Sequence, residues 1–142
     1  MDFPFTTEVD AWVWDTVTSL SGHDESQHLE YKATISPPDD LVSDETEWKR
    51  KIEREITAFA NANGGIIVFG VDDGGNPSPF ERPSHEIKQS VTRFIQNTRP
   101  LVDVDIPDPI EVPSDDTDRI ILPVRIYEAD RKPVLTGDAA VY

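Results

Sequence analysis

The chain has 142 residues, of which 28 are Asp or Glu and 13 are Lys or Arg, so its formal net charge at pH 7 is −15. A chain of this length buries about 70% of its unfolded surface on folding, which is enough for one domain with its own core. It has no Cys, which excludes thiol nucleophiles and thiolate metal ligands. Apolar runs such as Ile66 to Phe69 are far shorter than the ~20 residues of a membrane span. The sequence begins Met1-Asp2, without the basic region and long apolar segment of a signal peptide. We therefore expect a cytoplasmic protein without a membrane partner.

The acidity of the chain has a pattern that is typical of salt-adapted proteins. Asp outnumbers Glu 17 to 11, and Arg outnumbers Lys 8 to 5. In dilute salt such a surface repels nucleic acid, but at molar salt the Debye length is ~3 Å, so that close contacts persist while long-range repulsion is screened. We expect a halophilic microbial source, and an acidic mesophilic protein is the alternative.

Hydrophobic periodicity predicts helices where apolar residues recur every three or four positions, and strands where they alternate or run continuously. Gly and Pro residues mark the ends of these elements. In chain order, we expect a helix from Thr6 or Thr7 to Leu20, a strand from Ser26 to Ile35, a helix from Ser43 or Asp44 to the stop at Asn63-Gly64-Gly65, a buried central strand from Ile66 to Val71, a turn over Asp72 to Pro77, a helix from Ser84 to just before Pro100, and strands at Val102 to Ile106, Ile110 to Val112, Arg119 to Tyr127 and Pro133 to Tyr142. Together these elements predict a single α/β (α+β) domain over residues 1–142, with a mixed sheet flanked by about three helices.

Glu30 and Lys32 lie two residues apart on the first predicted strand, so they project to the same face. A carboxylate that holds a hard divalent cation, next to an ammonium that orients an attacking water, suits metal-assisted cleavage of a phosphodiester. The alternative is an ordinary ion pair on a solvated strand face.

Two further carboxylates extend this hypothesis. Glu25 precedes the strand, and Asp72 leaves the end of the buried central strand, where ligand-binding loops of α/β sheets meet. The sequence therefore predicts that Glu25, Glu30 and Asp72 hold Mg²⁺ or Mn²⁺, with Lys32 as a catalytic neighbour. For Asp72 the alternative is a tight turn selected for its backbone geometry.

Basic residues gather on the second predicted helix, at Lys49, Arg50, Lys51 and Arg54. These side chains are candidates for contacts with nucleic-acid phosphates, and ion pairs with Glu53, Glu55 or Glu86 are the alternative. Gly64-Gly65 lies between a helix and a strand, the reverse of the order in a phosphate-binding loop, so it predicts a helix C-cap.

Three segments together resemble the Schlafen AlbA_2 family. Its typical motifs read E-x-x-x-x-E-[FY]-K, A-F-A-N-x-x-G-G and [IVF]-G-V-x-D-x-G. The corresponding segments here are Glu25 to Lys32, Ala58 to Gly65, and Phe69 to Gly75, and the ending from Arg131 to Val134 also resembles the family. The resemblance covers most of the chain.

The resemblance implies a fold related to Alba-type nucleic-acid-binding domains, and a nuclease site of two Glu and one Asp. The two Glu are by position Glu25 and Glu30, and Lys32 matches the motif lysine. The Asp is assigned to Asp72, which directly follows the glycine-valine pair, and Asp73 is its neighbour. Family motifs usually continue past the final tyrosine into an arginine, so the chain is expected to be truncated after Tyr142. Eukaryotic members bring two such domains around RNA, which implies a homodimer here.

The function predicted from the sequence is a nucleic-acid-binding domain that cleaves phosphodiester bonds as a divalent-metal-dependent endoribonuclease or nuclease. The alternative is a non-catalytic regulatory module that binds DNA or a nucleotide. RNA such as tRNA, and DNA, both remain open as partners, because base readout depends on the tertiary placement of side chains.

Overall fold

The computed structural model describes residues 5–35, 45–81, 87–113 and 118–142. It contains a single 3-10 turn at Val9–Ala11 and three α-helices, which are α1 (Trp14–Thr18), α2 (Glu45–Asn61) and α3 (Ile87–Ile95). Its strands are β1 (Leu29–Lys32), β2 (Gly65–Phe69), β3 (Phe80–Glu81), β4 (Val104–Asp105), β5 (Ile110–Glu111) and β6 (Arg119–Ile126). In this part of the chain no helix combines the length and the apolar character needed to cross a membrane.

The strands form one mixed six-stranded sheet, which confirms the predicted α/β (α+β) class. β1 and β2 are parallel, with Glu30 opposite Ile67 and Lys32 opposite Phe69. β2 then pairs antiparallel with β6, the longest strand, and the short strands β3, β4 and β5 also pair antiparallel with β6. β5 and β6, which correspond to the strands predicted at Ile110 to Val112 and Arg119 to Tyr127, pair with each other, and residues 114–117 between them lie outside the described residues.

Each face of the sheet is covered by its own apolar core, because alternate residues of β2 point to opposite faces. Ile67 and Phe69 pack with α2 and α3, while Ile66 and Val68 pack with the N-terminal segment. The helix side contributes Ile52, Ile56, Phe59, Val91, Phe94 and Ile95, and the N-terminal side contributes Val9, Trp12, Val17 and Leu20. In β1, Leu29 and Tyr31 join the N-terminal core, which leaves Glu30 and Lys32 on the face that carries α2.

The prediction of one continuous helix from Thr6 or Thr7 to Leu20 is wrong. The chain is extended at Trp12 (ψ 136°) and Val13 (ψ 177°), between the 3-10 turn and α1. Polar groups compete here with helical hydrogen bonds, since the Trp12 indole donates to the Thr6 carbonyl and the Val13 amide donates to the Thr16 hydroxyl. The apolar residues whose helical spacing indicates this helix are nevertheless buried at Val9, Trp12, Val17 and Leu20, whereas Val13 is exposed.

The second and third helices and the central strand are confirmed, although their proposed caps at Ser43 or Asp44 and at Ser84 lie outside the described residues. Gly64 ends α2 with a φ of +78°, and a Cβ there would lie 2.7 Å from the Ile126 carbonyl oxygen. Only glycine is therefore suited to this turn.

The strand predicted at Pro133 to Tyr142 is also wrong. The segment turns back on itself, with single bridges from Leu135 to Arg99 and Val141. The side chain of Asn61 ties it to α2, because Asn61 Oδ1 accepts the Val134 amide at 2.7 Å and Nδ2 donates to the carbonyls of Val134 and Tyr142 at 3.0 and 3.1 Å. A turn at Gly137 and Asp138 replaces regular pairing and faces α2.

Candidate nucleic-acid interface and acid cluster

Lys32 lies between two carboxylates on the face of the sheet that carries α2. Its ammonium Nζ is 2.8 Å from Oε1 of Glu55 on α2 and 3.4 Å from Oε1 of Glu30 on β1. The Lys32 side chain is 9% exposed, and those of Glu30 and Glu55 are 24% and 23% exposed. We call Glu30, Lys32 and Glu55 the acid cluster, since they form a partly buried group with one positive and two negative charges when all three are ionised.

The environment of Glu30 disfavours its ionised form. Burial raises the pKa of Glu30, and the neighbouring carboxylates of Glu55 and Glu25 raise it further, against the opposing effect of Lys32. Among the described residues, Oε2 of Glu55 is buried and accepts no hydrogen bond. One ammonium therefore does not satisfy the carboxylate oxygens that surround it.

Glu55 is the member of the cluster that the sequence did not reveal as a site residue. The sequence presents Glu55 only as a partner for basic residues on its own helix. Its position beside the buried Ile56 was the available signal, because a charged residue at the border of an apolar stripe faces the neighbouring sheet. The parallel register of β1 then brings Lys32 to it.

Glu25 is close to the cluster but has a structural task as well. Its Oε1 accepts a hydrogen bond from the Tyr31 backbone amide at 2.9 Å, on the edge of β1 that does not pair with β2. The carboxylate thus satisfies an edge donor of the sheet. The influence of Glu25 on the pKa of Glu30 shows that the two carboxylates interact electrostatically.

Asp72 occupies the turn that the sequence predicts after the central strand. Its Oδ1 accepts hydrogen bonds from the amides of Gly74 and Asn76 at 3.0 and 2.9 Å, as an Asp does when it shapes its own turn. Gly75, with a φ of +82°, lets the turn approach the Leu20 carbonyl oxygen. Within the described part of the chain, Asp72 forms no hydrogen bond or ion pair with the acid cluster, so its role as a third ligand stays a prediction.

The donor chemistry of the acid cluster fits a hard divalent cation, although not as a three-acid cage. Within residues 5–35, 45–81, 87–113 and 118–142, no group of three or more His, Cys, Asp and Glu side chains has the arrangement of a metal site. Mg²⁺ needs only one or two carboxylates, with waters and substrate phosphates completing its shell. Glu30 and the unpaired oxygen of Glu55 fit this smaller requirement.

Three of the four predicted basic residues converge on one flank of α2. Lys49, Arg50 and Arg54 line a concavity of ≈ 250 Å³, which Glu53, Asn97 and the turn of Thr136, Gly137 and Asp138 complete. We call it the basic pocket. At 100° per residue, Lys51 instead lies on the flank of α2 that carries Glu55, and it does not line the basic pocket.

The two acidic residues of the basic pocket already have donors. Glu53 is 6% exposed and accepts the Gly137 amide. The hydrogen bond from the Thr136 hydroxyl, more than the charges of Arg54 and Arg50, lowers the pKa of Asp138. The one ion pair at the pocket that joins described residues is Arg54 with Glu47, at 3.9 Å and well exposed. Arg50 is exposed, and Lys49 and Arg54 are half-buried, so their charges are presented at the surface of the pocket.

A second cavity, of ≈ 430 Å³, opens where α2 leads into β2, and no sequence motif indicates it directly. It is lined by the turn at Gly64 and Gly65, by His28, and by Arg125 and Tyr127 of the opposite strand end. Arg125 stacks on the Tyr127 ring at 4.3 Å and pairs with Glu8 at 3.3 Å. Arg125 is the one Lys or Arg that lines this cavity, and Glu128 lines it too, whereas three cationic side chains line the basic pocket, so the basic pocket is the better anion site.

Comparison with known proteins gives a family for most of the chain. The model of the family described as Schlafen, AlbA_2 matches residues 25–142. Among solved structures, the chain is similar to the DIP2311 protein from Corynebacterium diphtheriae, with a TM-score of 0.54, 13% identity, and coverage of 89% of this chain and 23% of that one. At this identity the likeness concerns the fold alone, and the chain spans about a quarter of that protein. No curated relative matches the sequence.

Proposed function

Because the chain belongs to the Schlafen AlbA_2 family, we propose that it is a nucleic-acid-binding domain. The observation that carries this proposal is the convergence of Lys49, Arg50 and Arg54 around a concavity, on a chain whose net charge is −15. Phosphate contacts by Lys and Arg supply most of the affinity of non-specific nucleic-acid binding. On a chain that otherwise repels polyanions, this pocket is the place where a phosphate group would bind.

Anisotropy titrations with labelled RNA and DNA test this proposal. Arg50→Ala should weaken binding about tenfold and make it less salt-dependent, because one phosphate contact is lost. Lys88→Ala, on the exposed side of α3, removes a positive charge outside the basic pocket and should change affinity less than about twofold. Equal losses in the two variants, or no binding by the wild type at any salt concentration, would contradict the proposal.

Light scattering of the complex shows whether two copies bind together, as expected for a homodimer.

Metal-dependent cleavage of the bound strand is a second candidate function. The specific observation in its favour is the acid cluster, where Glu30 has a raised pKa and Glu55 has an unpaired oxygen. A bound Mg²⁺ or Mn²⁺ would supply Lewis-acid activation of a water and of the scissile phosphate. We expect this ion to be held by Glu30 and Glu55. Glu25 and Asp72 are further candidate carboxylates.

The chain's own contribution to cleavage would be electrostatic. Lys32 is held by Glu55 at 2.8 Å and lies beside Glu30, so its ammonium is positioned to stabilise negative charge that develops on a phosphate. The same ion pairing supports the alternative of a non-catalytic module, since a lysine that is 9% exposed and paired twice is also a structural residue. A measurement of nuclease activity distinguishes the catalytic domain from the non-catalytic module.

A cleavage assay in high KCl with Mg²⁺ or Mn²⁺ separates these alternatives. The nuclease proposal expects metal-dependent products from tRNA, single-stranded RNA or single-stranded DNA that Glu30→Gln abolishes. Mn²⁺ binding, followed by paramagnetic broadening of amide signals in β1 and α2, gives a readout independent of turnover. If neither protein cuts and both bind nucleic acid equally, the binding module stands and the nuclease proposal fails.

A further inference from the structure

An exposed aromatic ring lies next to the basic pocket. The guanidinium carbon of Arg54 lies 5.7 Å from the centroid of the Tyr142 ring, and Tyr142 is 44% exposed. Arg54 also lines the pocket, so it connects the ring and the cationic concavity.

The backbone next to this ring is hydrogen-bonded to α2. Asn61 donates to the Tyr142 carbonyl oxygen at 3.1 Å and binds both backbone groups of Val134. Because Arg54 lines the pocket and also lies beside the ring, the ring and the pocket are neighbours on one surface, which we call the strand platform.

We propose that the strand platform binds single-stranded nucleic acid, with a phosphate group in the basic pocket and the neighbouring base stacked on Tyr142. The inference rests on the proposed nucleic-acid function and adds the form of the substrate. A base can stack on a protein ring only when it leaves its own stack, as bases of single strands do readily and bases of a duplex do not. A concave pocket beside a ring thus favours a flexible strand.

The acidity of the rest of the surface strengthens this choice. A rigid duplex presents phosphates over a broad face, and a chain with a net charge of −15 repels them. A single strand bends at each nucleotide and can enter the basic pocket while its remaining phosphates stay in solvent. The platform offers this strand a cationic contact and an aromatic contact at adjacent positions.

Anisotropy titrations with a short labelled single strand, and with a duplex of the same sequence, test the inference. Wild type should bind the single strand at least about tenfold more tightly than the duplex, and Tyr142→Leu should weaken single-strand binding by about tenfold. Tyr142→Phe keeps the ring and should restore most of the affinity that Tyr142→Leu loses. Arg50→Ala should lower the salt slope for the single strand by about 0.7, the value for one lost phosphate contact.

The outcomes distinguish this inference from the function on which it rests. Wild-type protein that binds neither nucleic acid would overturn both. Binding that is as tight to duplex as to single strand, or that is lost equally in Tyr142→Leu and Tyr142→Phe, would overturn the strand platform alone. Inorganic phosphate that competes for the pocket as strongly as the oligonucleotide would show a site for free phosphate and would also overturn it.

Discussion

At the scale of single residues, the pairing of Lys32 with Glu55 is the interaction on which the acid cluster depends. Glu55→Ala leaves a buried ammonium with one partner, Glu30, at 3.4 Å. Removing one member of a buried ion pair costs about 3 kcal/mol, whereas exposed pairs contribute under about 1 kcal/mol. We therefore expect Glu55→Ala to lower the free energy of unfolding by about 3 kcal/mol in urea denaturation.

Glu47→Ala is the matched control on the same helix. Glu47 is 56% exposed and lies 3.9 Å from Arg54, so its loss should change stability by less than about 0.5 kcal/mol. Equal effects of Glu47→Ala and Glu55→Ala would show that Lys32 does not depend on Glu55.

A second residue-scale prediction concerns Tyr127, whose hydroxyl donates to Asp105. This hydrogen bond, assisted by burial, raises the pKa of Tyr127 above 10.0. The folded state then holds the phenol proton more tightly than the unfolded state, so the stabilisation is complete below about pH 10 and is lost as the pH rises through the folded pKa. Ultraviolet titration of wild type against Tyr127→Phe measures this pKa.

Asp105→Asn is the informative partner variant, because it removes the charged acceptor and should bring the pKa of Tyr127 down towards 10.0. A phenol in the wild type that titrates at or below 10.0 would contradict this account of the strand end.

At the scale of elements, Asn61 joins the end of α2 to the segment that closes the basic pocket. Asn61→Ala removes three hydrogen bonds, to the amide and carbonyl of Val134 and to the carbonyl of Tyr142. Leaving these partly buried groups unpaired should cost about 1–3 kcal/mol of unfolding free energy. Hydrogen exchange of the Val134 amide should accelerate at the same time.

The exposed Asn63, two residues later, provides the control for this variant. Asn63→Ala should leave both the unfolding free energy and the exchange of the Val134 amide nearly unchanged. If Asn61→Ala exchanges at the wild-type rate, the C-terminal segment is held by other contacts.

Some of these elements could be predicted from the sequence alone, and others could not. α2 and β2 were predicted because their apolar periodicity is uninterrupted and Gly64 marks the boundary between them. The break between the 3-10 turn and α1 could not be predicted from hydrophobic periodicity. It depends on hydrogen bonds of Trp12 and Val13 to a carbonyl and a hydroxyl group, which the spacing of apolar residues does not indicate. Glu55 was missed for a similar reason, because only the tertiary contact of α2 with β1 brings it to Lys32.

At the scale of the whole molecule, the net charge of −15 should make stability depend on salt. Screening of mutual repulsion strengthens as the Debye length falls from ~10 Å at about 0.1 M salt to ~3 Å at about 1 M. We expect the free energy of unfolding to rise over this range of KCl, as the prediction of a halophilic source requires. Thermal melts at a series of KCl concentrations measure it, and a melting temperature that falls or stays constant would contradict it.

The whole molecule also places its two candidate sites on opposite flanks of α2. The basic pocket involves Lys49 and Arg50, and the acid cluster includes Glu55, which is rotated away from them around the helix axis. A strand that is anchored in the pocket and crosses the outer side of α2 would approach the cluster. We propose Lys51, on the flank of the cluster, as a further contact for such a strand.

The central claim is that nucleic acid binds at the basic pocket, and amide NMR of the labelled chain titrated with a short single strand tests it most directly. We predict that the shifts concentrate in the first half of α2, at Asn97 and in the turn from Thr136 to Asp138, with smaller changes at the acid cluster. Shifts that are confined to the cavity at Gly64 and Tyr127, or the absence of any shift at saturating strand, would contradict the account.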